Sequence, residues 1–449
     1  MRLSSPWVPR LSDPPGTPSE RLAKSLGQDI VSGALPPGTR LPPHREIAWK
    51  LGVSIGSVTK AMTALERRGL VRGVNGRGTF VSGQPVANFG GLDLSTNVPP
   101  SMISDRLLAE SLRNLARRLD AGTFTSYAPL AGRKDHRRAL AHWLEQGGLA
   151  CSPDRIILCN GAQHAISLAL AAACDKGSAL LTEALTYPGA LAVARARRLQ
   201  IRPIEMDEEG ILPPALGHAL SERGSAARHV VYLTPTLQNP TAATMGLERR
   251  KAITDICGEH DALIVEDDIH GAFRGKELPP IAALAPQRTI HVTSLSKVLS
   301  PGLRIGSLVL PECLVDRAMA ELAATSSAPP IVSCMIMAEW LADGTAREVA
   351  GAIVADSAQR FETALACLPT LTPSLLPGFH TWLPMEISRA ERIRRAAGAA
   401  GIIVPSPYSF LADPRSDLSG IRLSLGGPNL DELKWGLQTF AKVAAERSA

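Results

Sequence analysis

The chain has 449 residues, 45% of them apolar and 20% charged, which is ordinary for a globular protein and long enough for two or three folding units. It begins without an apolar stretch of signal-peptide length, and its longest apolar stretch, at 165–174, is far short of the ~20 residues that span a bilayer. Its seven cysteines are scattered, with no Cys-x-x-Cys pair. We therefore expect a cytoplasmic protein with reduced thiols and no metal site.

Positive charge is concentrated in one segment. Residues 34–83 carry only two acidic residues against eight basic ones: Arg40, Arg45, Lys50, Lys60, Arg67, Arg68, Arg72 and Arg77. This segment accounts for the whole net charge of +6, so the rest of the chain is neutral overall. A short basic module is typical of nucleic-acid binding, although most charge runs are simply solvated surface.

Apolar periodicity predicts three helices in this region, at 20–32, 44–51 and 55–68. A tight turn, Gly52-Val53-Ser54, separates the second helix from the third. The third helix has an apolar stripe, and its other face is polar and basic. Two short strands at 70–72 and 79–81 follow, joined by a glycine-rich wing. The pattern predicts a winged helix-turn-helix whose third helix reads the major groove.

The region resembles the GntR family of winged-helix repressors. The matching residues are Pro37-Gly38-Thr39-Arg40-Leu41-Pro42-Pro43-His44-Arg45-Glu46-Ile47-Ala48, then Leu51-Gly52-Val53-Ser54, Ser57-Val58 and Gly76-x-Gly78-Thr79-x-Val81. The resemblance implies DNA contacts by Arg45, Ser57, Thr59, Lys60 and Arg77. An alternative for Arg45 is a surface ion pair with Glu46 or Glu66.

Residues 83–94, rich in glycine and without periodicity, are predicted to link a DNA-binding domain at 1–82 to an effector domain at 95–449. From residue 95 onward, short apolar runs alternate with helical patterns, which predicts an α/β fold. The strands are expected at 156–158, 179–181, 230–233, 263–265 and 289–292. A large subdomain at about 140–310 would be joined by a smaller α+β subdomain at about 311–449 plus 95–125.

Chemically distinctive residues follow these strands, at the sheet edge where α/β folds bind ligands. They are Gly161, Ala162, Gln163, Tyr187, Asn239, Asp267, Ser294, Ser296, Lys297 and Arg304. A lysine amine condenses with an aldehyde, and a carboxylate keeps a pyridine nitrogen protonated. Ser294-x-x-Lys297 also matches a β-lactamase motif but lacks that motif's partner sequences. The acidic run 266–268 could bind magnesium, but no phosphate-loop signature accompanies it.

From about residue 95, the chain resembles fold-type I aminotransferases of class I, and with its N-terminal module it resembles the MocR subfamily of GntR regulators. The resemblance implies a catalytic Lys297 that forms an internal aldimine with pyridoxal 5'-phosphate. It also implies a set of further contacts: Asp267 at the pyridine nitrogen, Asn239 at the ring hydroxyl, Tyr187 on the ring face, Ser294 and Arg304 at the phosphate, and Arg422 on the carboxylate of an effector. Tyr127 would reach the phosphate of the neighbouring subunit, which implies a homodimer, commonly head-to-tail.

The chain departs from these proteins at one position. They usually carry a tyrosine two or three residues after the aspartate, where this chain has Ile269 and His270. His270 would either replace the tyrosine as a hydrogen-bond donor or merely pack, and the sequence leaves both alternatives open.

Two functions fit this sequence. The preferred one is a transcription regulator that binds double-stranded operator DNA and senses an amino compound, or pyridoxal phosphate itself, through Lys297. The alternative is a class I aminotransferase with an accessory DNA-binding module. We prefer regulation to turnover as the physiological role. The recognition helix and wing retain their DNA-reading residues, whereas the departure at His270 lies in the aminotransferase-like part.

Overall fold

The structure, a computed structural model, describes residues 7–14, 16–31, 35, 39–67, 71–74, 78–81, 91–222, 228–275, 277–371 and 374–446. The chain divides into two compact units, Met1–Gly91 and Leu92–Ala449. Within the described ranges, no helix is long and apolar enough to cross a membrane.

The smaller unit is a helix-turn-helix followed by a two-stranded antiparallel sheet. Its elements are α1 (Pro18–Val31), α2 (His44–Leu51), α3 (Ile55–Arg67), β1 (Val71–Val74) and β2 (Gly78–Val81). These elements confirm the predicted winged helix-turn-helix. The wing tip, residues 75–77, lies outside the described residues, and Arg77 with it.

The turn between α2 and α3 is fixed by two local features. Gly52 adopts φ 62°, a left-handed conformation that costs glycine little. The Ser54 side-chain oxygen accepts a hydrogen bond from the Ser57 backbone N–H at 3.0 Å and so caps α3. Because Val58 and Leu65 of α3 are fully buried, the opposite face of that helix is left to solvent.

A segment before α1 also belongs to this unit, although the sequence patterns predicted no structure there. The Trp7 side chain is only 6% exposed, and its Nε1 donates to Asp29 Oδ2 at 3.0 Å. Ser25 Oγ donates to the Arg10 carbonyl at 2.6 Å. This segment therefore closes one side of the helical core.

The larger unit contains thirteen strands and thirteen α-helices among its described residues. The strands are β3 (Leu92–Asp93), β4 (Ile156–Cys159), β5 (Ala179–Glu183), β6 (Gln200–Ile204), β7 (Met206–Asp207), β8 (Gly210–Ile211), β9 (His229–Leu233), β10 (Leu263–Asp267), β11 (Thr289–Ser294), β12 (Gly306–Val309), β13 (His380–Glu386), β14 (Ile402–Ile403) and β15 (Leu418–Ser424). The helices are α4 (Asp105–Arg118), α5 (Ala121–Thr125), α6 (Lys134–Gln146), α7 (Ala162–Ala173), α8 (Pro188–Ala196), α9 (Pro213–Ser221), α10 (Leu247–Glu259), α11 (Ile281–Leu284), α12 (Val315–Thr325), α13 (Ile331–Asp343), α14 (Thr345–Cys367), α15 (Ile387–Ala399) and α16 (Leu430–Glu446).

Seven of these strands form one sheet, in the order β4-β12-β11-β10-β9-β5-β6. Only β12 runs antiparallel to its neighbours. All five predicted strands are present, but β6 and β12 were missed. The edge strand β6 mixes polar residues with Pro203, and β12 is short and begins with a glycine, so neither gives a clear strand signal.

The central strands are buried on both faces, as parallel strands usually are. In β9, Val230 packs into the core cluster under α7, and Val231 packs into the cluster under α9 and α10. This two-sided burial explains why the central strands read as continuous apolar runs. It also holds their carboxyl ends rigidly at one edge of the sheet.

The smaller subdomain of this unit packs α14, α15 and α16 against the antiparallel pair β13–β15. Strand β3 pairs with β14, and Leu94 is fully buried in the same core. The larger unit therefore begins at Leu92, whereas the predicted linker extended to residue 94. A two-residue strand is too short to be recognised from the sequence; the predicted subdomain limits stay a prediction.

Candidate functional site

Five parallel strand ends meet at one edge of the sheet, and each is followed by a residue singled out from the sequence. Gly161 follows β4, Tyr187 follows β5, Asn239 follows β9, Asp267 ends β10 and Lys297 follows β11. Since β4, β5, β9, β10 and β11 run in the same direction, the fold brings these residues to one side of the sheet.

Asp267 is a buried carboxylate with one oxygen unused. Its side chain is 1% exposed, and its Oδ2 accepts a 2.6 Å hydrogen bond from the Tyr232 hydroxyl. Among the described residues, its Oδ1 has no hydrogen-bond partner. Burial raises the pKa of Asp267 to about 6, while the Tyr232 hydrogen bond acts in the opposite direction. A protonated ring nitrogen is the kind of donor that this oxygen lacks.

Lys297 carries an amine of lowered basicity. Burial, together with the nearby Arg422 and Arg304 guanidinium groups, lowers the pKa of Lys297 to about 8, and Asp267 opposes this shift. The amine donates to the backbone carbonyl of Asn97. The lowered pKa increases the unprotonated fraction of this amine near neutral pH, and the unprotonated form is the one that attacks an aldehyde.

Arg422 and Asn239 form a buried pair beside this amine. Arg422 Nη1 donates to Asn239 Oδ1 at 2.7 Å, and Nη2 donates to the Ser95 carbonyl. The guanidinium lies over the Phe410 ring, with 5.2 Å from its carbon to the ring centroid. Burial lowers the pKa of Arg422 to about 10. Within the described part of the chain, Arg422 Nε is buried without a partner, so one donor stays available for an anionic ligand.

The backbone at the start of α7 lies in close contact with the Arg304 guanidinium. Gly161 adopts φ 83°, and a Cβ built there would lie 2.5 Å from Arg304 Nη2. A Cβ on Gly306 would lie 2.5 Å from the Gly161 carbonyl carbon. Only glycine therefore allows this close approach, and it places a guanidinium beside the N-terminus of a 12-residue helix, where backbone N–H groups can hold a phosphate.

Two other predicted residues, Tyr187 and Gln163, are joined by a hydrogen bond. The Tyr187 hydroxyl donates to Gln163 Oε1 at 3.0 Å, and Gln163 Nε2 donates to the Gly189 carbonyl at 2.9 Å. A Cβ on Gly189 would lie 2.4 Å from the Tyr187 ring. The Tyr187 ring is thus held at both its edge and its hydroxyl, as a stacking surface requires.

Ser294 and Ser296 have different environments. The Ser294 hydroxyl donates to the Ile305 carbonyl at 3.0 Å, and the Ser294 oxygen accepts from the Ser296 backbone N–H at 3.1 Å and lies 3.0 Å from Ser296 Oγ. The single proton of Ser294 is thus used by the Ile305 carbonyl, whereas the Ser296 hydroxyl keeps a proton that it can donate. For a phosphate, this geometry favours Ser296 over Ser294.

His270 is fully buried in a cluster of rings. Its ring centroid lies 5.5 Å from those of Phe379 and His380 and 6.2 Å from that of Phe273. Burial lowers the pKa of His270 far below its usual range, with smaller contributions from His380 and Lys297, so the ring is neutral. Neither ring nitrogen has a hydrogen-bond partner among the described residues. The structure therefore shows that His270 packs among aromatic rings, and the alternative role, a hydrogen bond from His270 to a cofactor, stays a prediction.

Several residues of this site were missed from the sequence. Ser95 and Asn97 contribute backbone carbonyls, which no residue pattern reveals. Phe410 lies under Arg422 without a local motif. Tyr232 could have been found, because a lone tyrosine in an otherwise apolar buried strand needs a partner for its hydroxyl.

Tyr127 lies apart from the buried residues described above. Its side chain is 99% exposed, and Phe124 nearby in the chain is 61% exposed. Leu108 and Leu112 of α4 are also exposed apolar residues. This chain does not itself pack Tyr127 into the strand-end site.

The predicted DNA-reading residues that the structure describes lie in the smaller unit. Arg45, Thr59 and Lys60 are exposed, and Ser57 is half-buried because its hydroxyl lies 2.9 Å from Ser54 Oγ. Glu46, one of the alternative partners of Arg45, pairs with Lys50 at 2.9 Å. Arg45 is thus left on the surface of the helix-turn-helix.

Two family models match the chain. The model for aminotransferase class I and II matches residues 90–382, and the model for bacterial regulatory proteins of the gntR family matches residues 18–81. Proteins of the first family depend on pyridoxal phosphate, and the gntR-family domain binds DNA.

Three curated relatives match this chain over two thirds or more of their own length. An uncharacterised HTH-type transcriptional regulator YdeF of Bacillus subtilis is 29% identical, over 97% of this chain and 96% of the relative. The HTH-type pyridoxine biosynthesis transcriptional regulator PdxR of Corynebacterium glutamicum is 30% identical, over 67% of each chain. The probable rhizopine catabolism regulatory protein MocR of Rhizobium meliloti is 26% identical, over 72% of this chain and 71% of the relative.

Solved aminotransferases share the fold of the larger unit. A kynurenine aminotransferase of Pyrococcus horikoshii superposes with a TM-score of 0.73 and 23% identity, over 80% of this chain and 92% of that chain. An archaeal alanine:glyoxylate aminotransferase gives a TM-score of 0.72 and 24% identity, over 87% and 95%. The larger unit therefore has the fold-type I aminotransferase architecture. With its gntR-family domain, the chain belongs to the MocR subfamily of GntR transcription regulators.

Proposed function

We propose that this protein is a DNA-binding transcription regulator that holds pyridoxal 5'-phosphate on Lys297 and responds there to a small amino compound. One observation carries the proposal: the Lys297 amine, the Asp267 oxygen that has no partner among the described residues, and the Asn239–Arg422 pair lie at one edge of one sheet. The chain that forms this site also carries the helix-turn-helix.

The residues at the site fit this cofactor. When bound, pyridoxal phosphate supplies an aldehyde that condenses with amines and a pyridine ring that acts as an electron sink. Asp267 Oδ1 would accept from the ring nitrogen, and the Tyr187 ring would cover one face. The phosphate would be held by the backbone N–H groups at the start of α7, next to Gly161, and by Arg304 and Ser296. These assignments rest on the burial, charge and unused hydrogen-bonding atoms described above.

The segment Leu92–Val98 connects this site to the linker. Its Asn97 carbonyl accepts from the Lys297 amine, and its Ser95 carbonyl accepts from Arg422. A ligand carboxylate competes with the Ser95 carbonyl for Arg422, and a ligand amine that takes the place of Lys297 on the cofactor changes the partners of the Lys297 amine. Occupancy would then release a segment that continues directly into residues 82–90 and the DNA-binding unit, and the ligand would shift DNA affinity by its differential binding to the two arrangements.

The DNA contacts belong to the same proposal. Arg45, Thr59 and Lys60 lie on the exposed side of α2 and α3, and Thr59 Oγ1 lies 3.4 Å from His44 Nδ1 at the junction of those helices. We assign the start of α3, with Ser57, to the base edges and the two cations to phosphates or guanines. Arg77 of the wing is proposed from its sequence position alone.

We also assign a homodimer to the working regulator, in the head-to-tail arrangement that the family resemblance implies, because Tyr127 is 99% exposed in its own chain. Tyr127 of the partner subunit would then approach the phosphate held at Gly161. Sedimentation of the holo protein should give a dimer. Tyr127→Phe should weaken cofactor binding but leave the protein dimeric. A monomer with full cofactor affinity would contradict this assignment.

The main test compares Lys297→Ala with Lys251→Ala, an exposed lysine of α10 that pairs only with Glu248 among the described residues. Lys297→Ala should abolish the visible absorption of lysine-bound cofactor and remove the response of DNA binding to amines. Lys251→Ala should retain both. DNA affinity is measured on the duplex upstream of the chain's own coding sequence, at several salt concentrations, because phosphate contacts make it salt-dependent. An unchanged spectrum in Lys297→Ala would rule out the assignment.

Transamination is a second candidate, favoured by the lowered pKa of Lys297 and the retained Arg422. Turnover is measured with amino acid and keto acid pairs in the same preparation that is tested for DNA binding. Brisk turnover without salt-sensitive DNA binding would favour the enzyme. Slow or absent turnover with ligand-sensitive DNA binding is the result expected for the regulator.

A further inference from the structure

A second cavity lies behind the cofactor-holding strand end. It measures about 380 Å³, within the size range of small-molecule sites, and none of Lys297, Asp267, Asn239 and Arg422 lines it. Its walls come from the end of α6, from α14 and from the segment after β10. Asp268, the residue directly after β10, lines this cavity, whereas Asp267 at the end of β10 does not.

One corner of this cavity is charged but internally neutralised. Asp268 pairs with Arg274, and Asp268 Oδ2 lies 3.1 Å from His291 Nε2. The side chains of Asp268, Arg274 and His291 are 3%, 5% and 1% exposed. The Arg274 and His291 contacts lower the pKa of Asp268 to about 2 despite its burial. The carboxylate is therefore ionised and already has a cationic partner.

Two polar atoms in this corner lack partners. In the part of the chain that the structure describes, Asp268 Oδ1 and His291 Nδ1 make no hydrogen bond. An ionised carboxylate oxygen can only accept, so Asp268 Oδ1 calls for a donor. A ligand ammonium would meet the Arg274 guanidinium, and a ligand carboxylate would meet Asp268, so a neutral donor such as a hydroxyl fits best.

The rest of the lining is largely apolar. It includes an indole and several aliphatic side chains: Trp143, Leu144, Leu149, Ile269, Val298, Ala350 and Val354. An indole beside aliphatic walls suits a flat ring. We infer that this cavity binds a small hydroxylated aromatic molecule, whose hydroxyl donates to Asp268 Oδ1 and whose ring packs against Trp143. This site is additional to the one proposed for the amino compound.

The matched probes are 4-ethylphenol and 4-ethylanisole, which share a ring but differ in the donor hydroxyl. Neither is an amine, so neither can condense at Lys297. Titration calorimetry on the holo protein should show saturable binding of 4-ethylphenol at one site per chain and at least tenfold weaker binding of 4-ethylanisole. Equal affinity for the two probes, or no binding of 4-ethylphenol, would overturn the inference.

A matched pair of variants locates the binding. Gly351 lines the cavity in the middle of α14, and Gly398 lies in α15 away from it; both are exposed, and a Cβ on either meets nothing within 4 Å. Both substitutions replace a helical glycine, so neither should prevent folding. Gly351→Phe should weaken 4-ethylphenol binding at least tenfold, and Gly398→Phe should leave it unchanged. Undiminished binding in folded Gly351→Phe would show that the probe lies elsewhere and would refute the site.

Discussion

The two units carry their functional charges in opposite environments. In the smaller unit, Arg45 and Lys60 face solvent on adjacent helices. In the larger unit, Asp267 and Arg422 are 1% and 6% exposed and depend on partners from distant parts of the chain. Exposed cations can attract a polyanion with little preorganisation, whereas buried charges must be positioned before a cofactor binds. The comparison predicts large, specific effects in the larger unit and smaller, salt-dependent effects in the smaller unit.

The largest effect is expected at Asp267. Asp267→Asn keeps the shape and removes the charge that would hold a protonated ring nitrogen. Because a hydrogen bond to a charged group contributes about 1.5–3 kcal/mol, cofactor affinity should fall about 10- to 100-fold. Spectrophotometric titration with pyridoxal phosphate measures this, and Asp255→Asn, an exposed position of α10, serves as the control. Equal cofactor affinities in the two variants would contradict the claim that the buried charge of Asp267 contributes to cofactor binding.

The next effect concerns pH. The pKa of Lys297 is lowered to about 8, below its unfolded value, so the amine loses its proton at lower pH than an ordinary lysine. The neutral form attacks the aldehyde, so the rate of cofactor attachment to apo protein should rise about tenfold from pH 7 to pH 9 and level off above pH 9. Stopped-flow absorbance follows the reaction, with N-acetyl-lysine as the reference. A protein profile that parallels the reference, rising beyond pH 10, would contradict the lowered pKa.

Gly161→Ala separates strain from function. Gly161 and Gly177 have similar φ values of 83° and 86°, but a Cβ meets Arg304 only at Gly161 and meets nothing within 4 Å at Gly177. Both alanine variants should lose about 1–2 kcal/mol of unfolding free energy from the left-handed backbone. Only Gly161→Ala should also weaken cofactor binding, by about five- to tenfold, because it displaces the guanidinium. Urea unfolding and cofactor titration test the two parts, and equal cofactor affinities would argue against a phosphate held at Gly161.

The smallest effect is expected in the smaller unit. Arg45→Ala should reduce DNA affinity about fivefold, which corresponds to roughly 1 kcal/mol. The slope of log affinity against log salt concentration should become less steep by about one, because one phosphate contact is lost. Lys24→Ala, an exposed lysine of α1, serves as the control. Fluorescence anisotropy at several salt concentrations measures both. If the Lys24 variant lost as much affinity as the Arg45 variant, the DNA-binding surface would not be the one proposed.

The smaller unit was largely readable from its sequence. The apolar stripe of α3, with Val58, Met62 and Leu65, and the Gly52 turn are local patterns within a few residues of one another. The segment around Trp7 was missed because its contact with Asp29 joins residues 22 positions apart outside any periodic pattern.

The candidate site of the larger unit was only partly readable. Lys297, Asp267 and Asn239 each follow a strand that the apolar runs predicted. The sequence could not predict that Asp267 Oδ1 has no hydrogen-bond partner among the described residues, or that the Ser95 and Asn97 carbonyls contact Arg422 and Lys297. It also could not predict the different environments of Ser294 and Ser296. Each depends on a contact between backbone or side-chain atoms that no residue type encodes. His270 illustrates the limit, since its sequence position left two roles open and the structure reveals a ring cluster with Phe379 and His380.

The sequence by itself determined the helix-turn-helix, the α/β class of the larger unit and the residue types available at the strand ends, because apolar periodicity and turn residues are local properties. Only the tertiary structure decided which atoms at those ends are buried without partners and how Leu92–Val98 contacts Lys297 and Arg422. It also revealed the cavity behind Asp268. These features arise where segments up to 327 residues apart are packed together, and desolvation and hydrogen bonding depend on that packing rather than on sequence spacing.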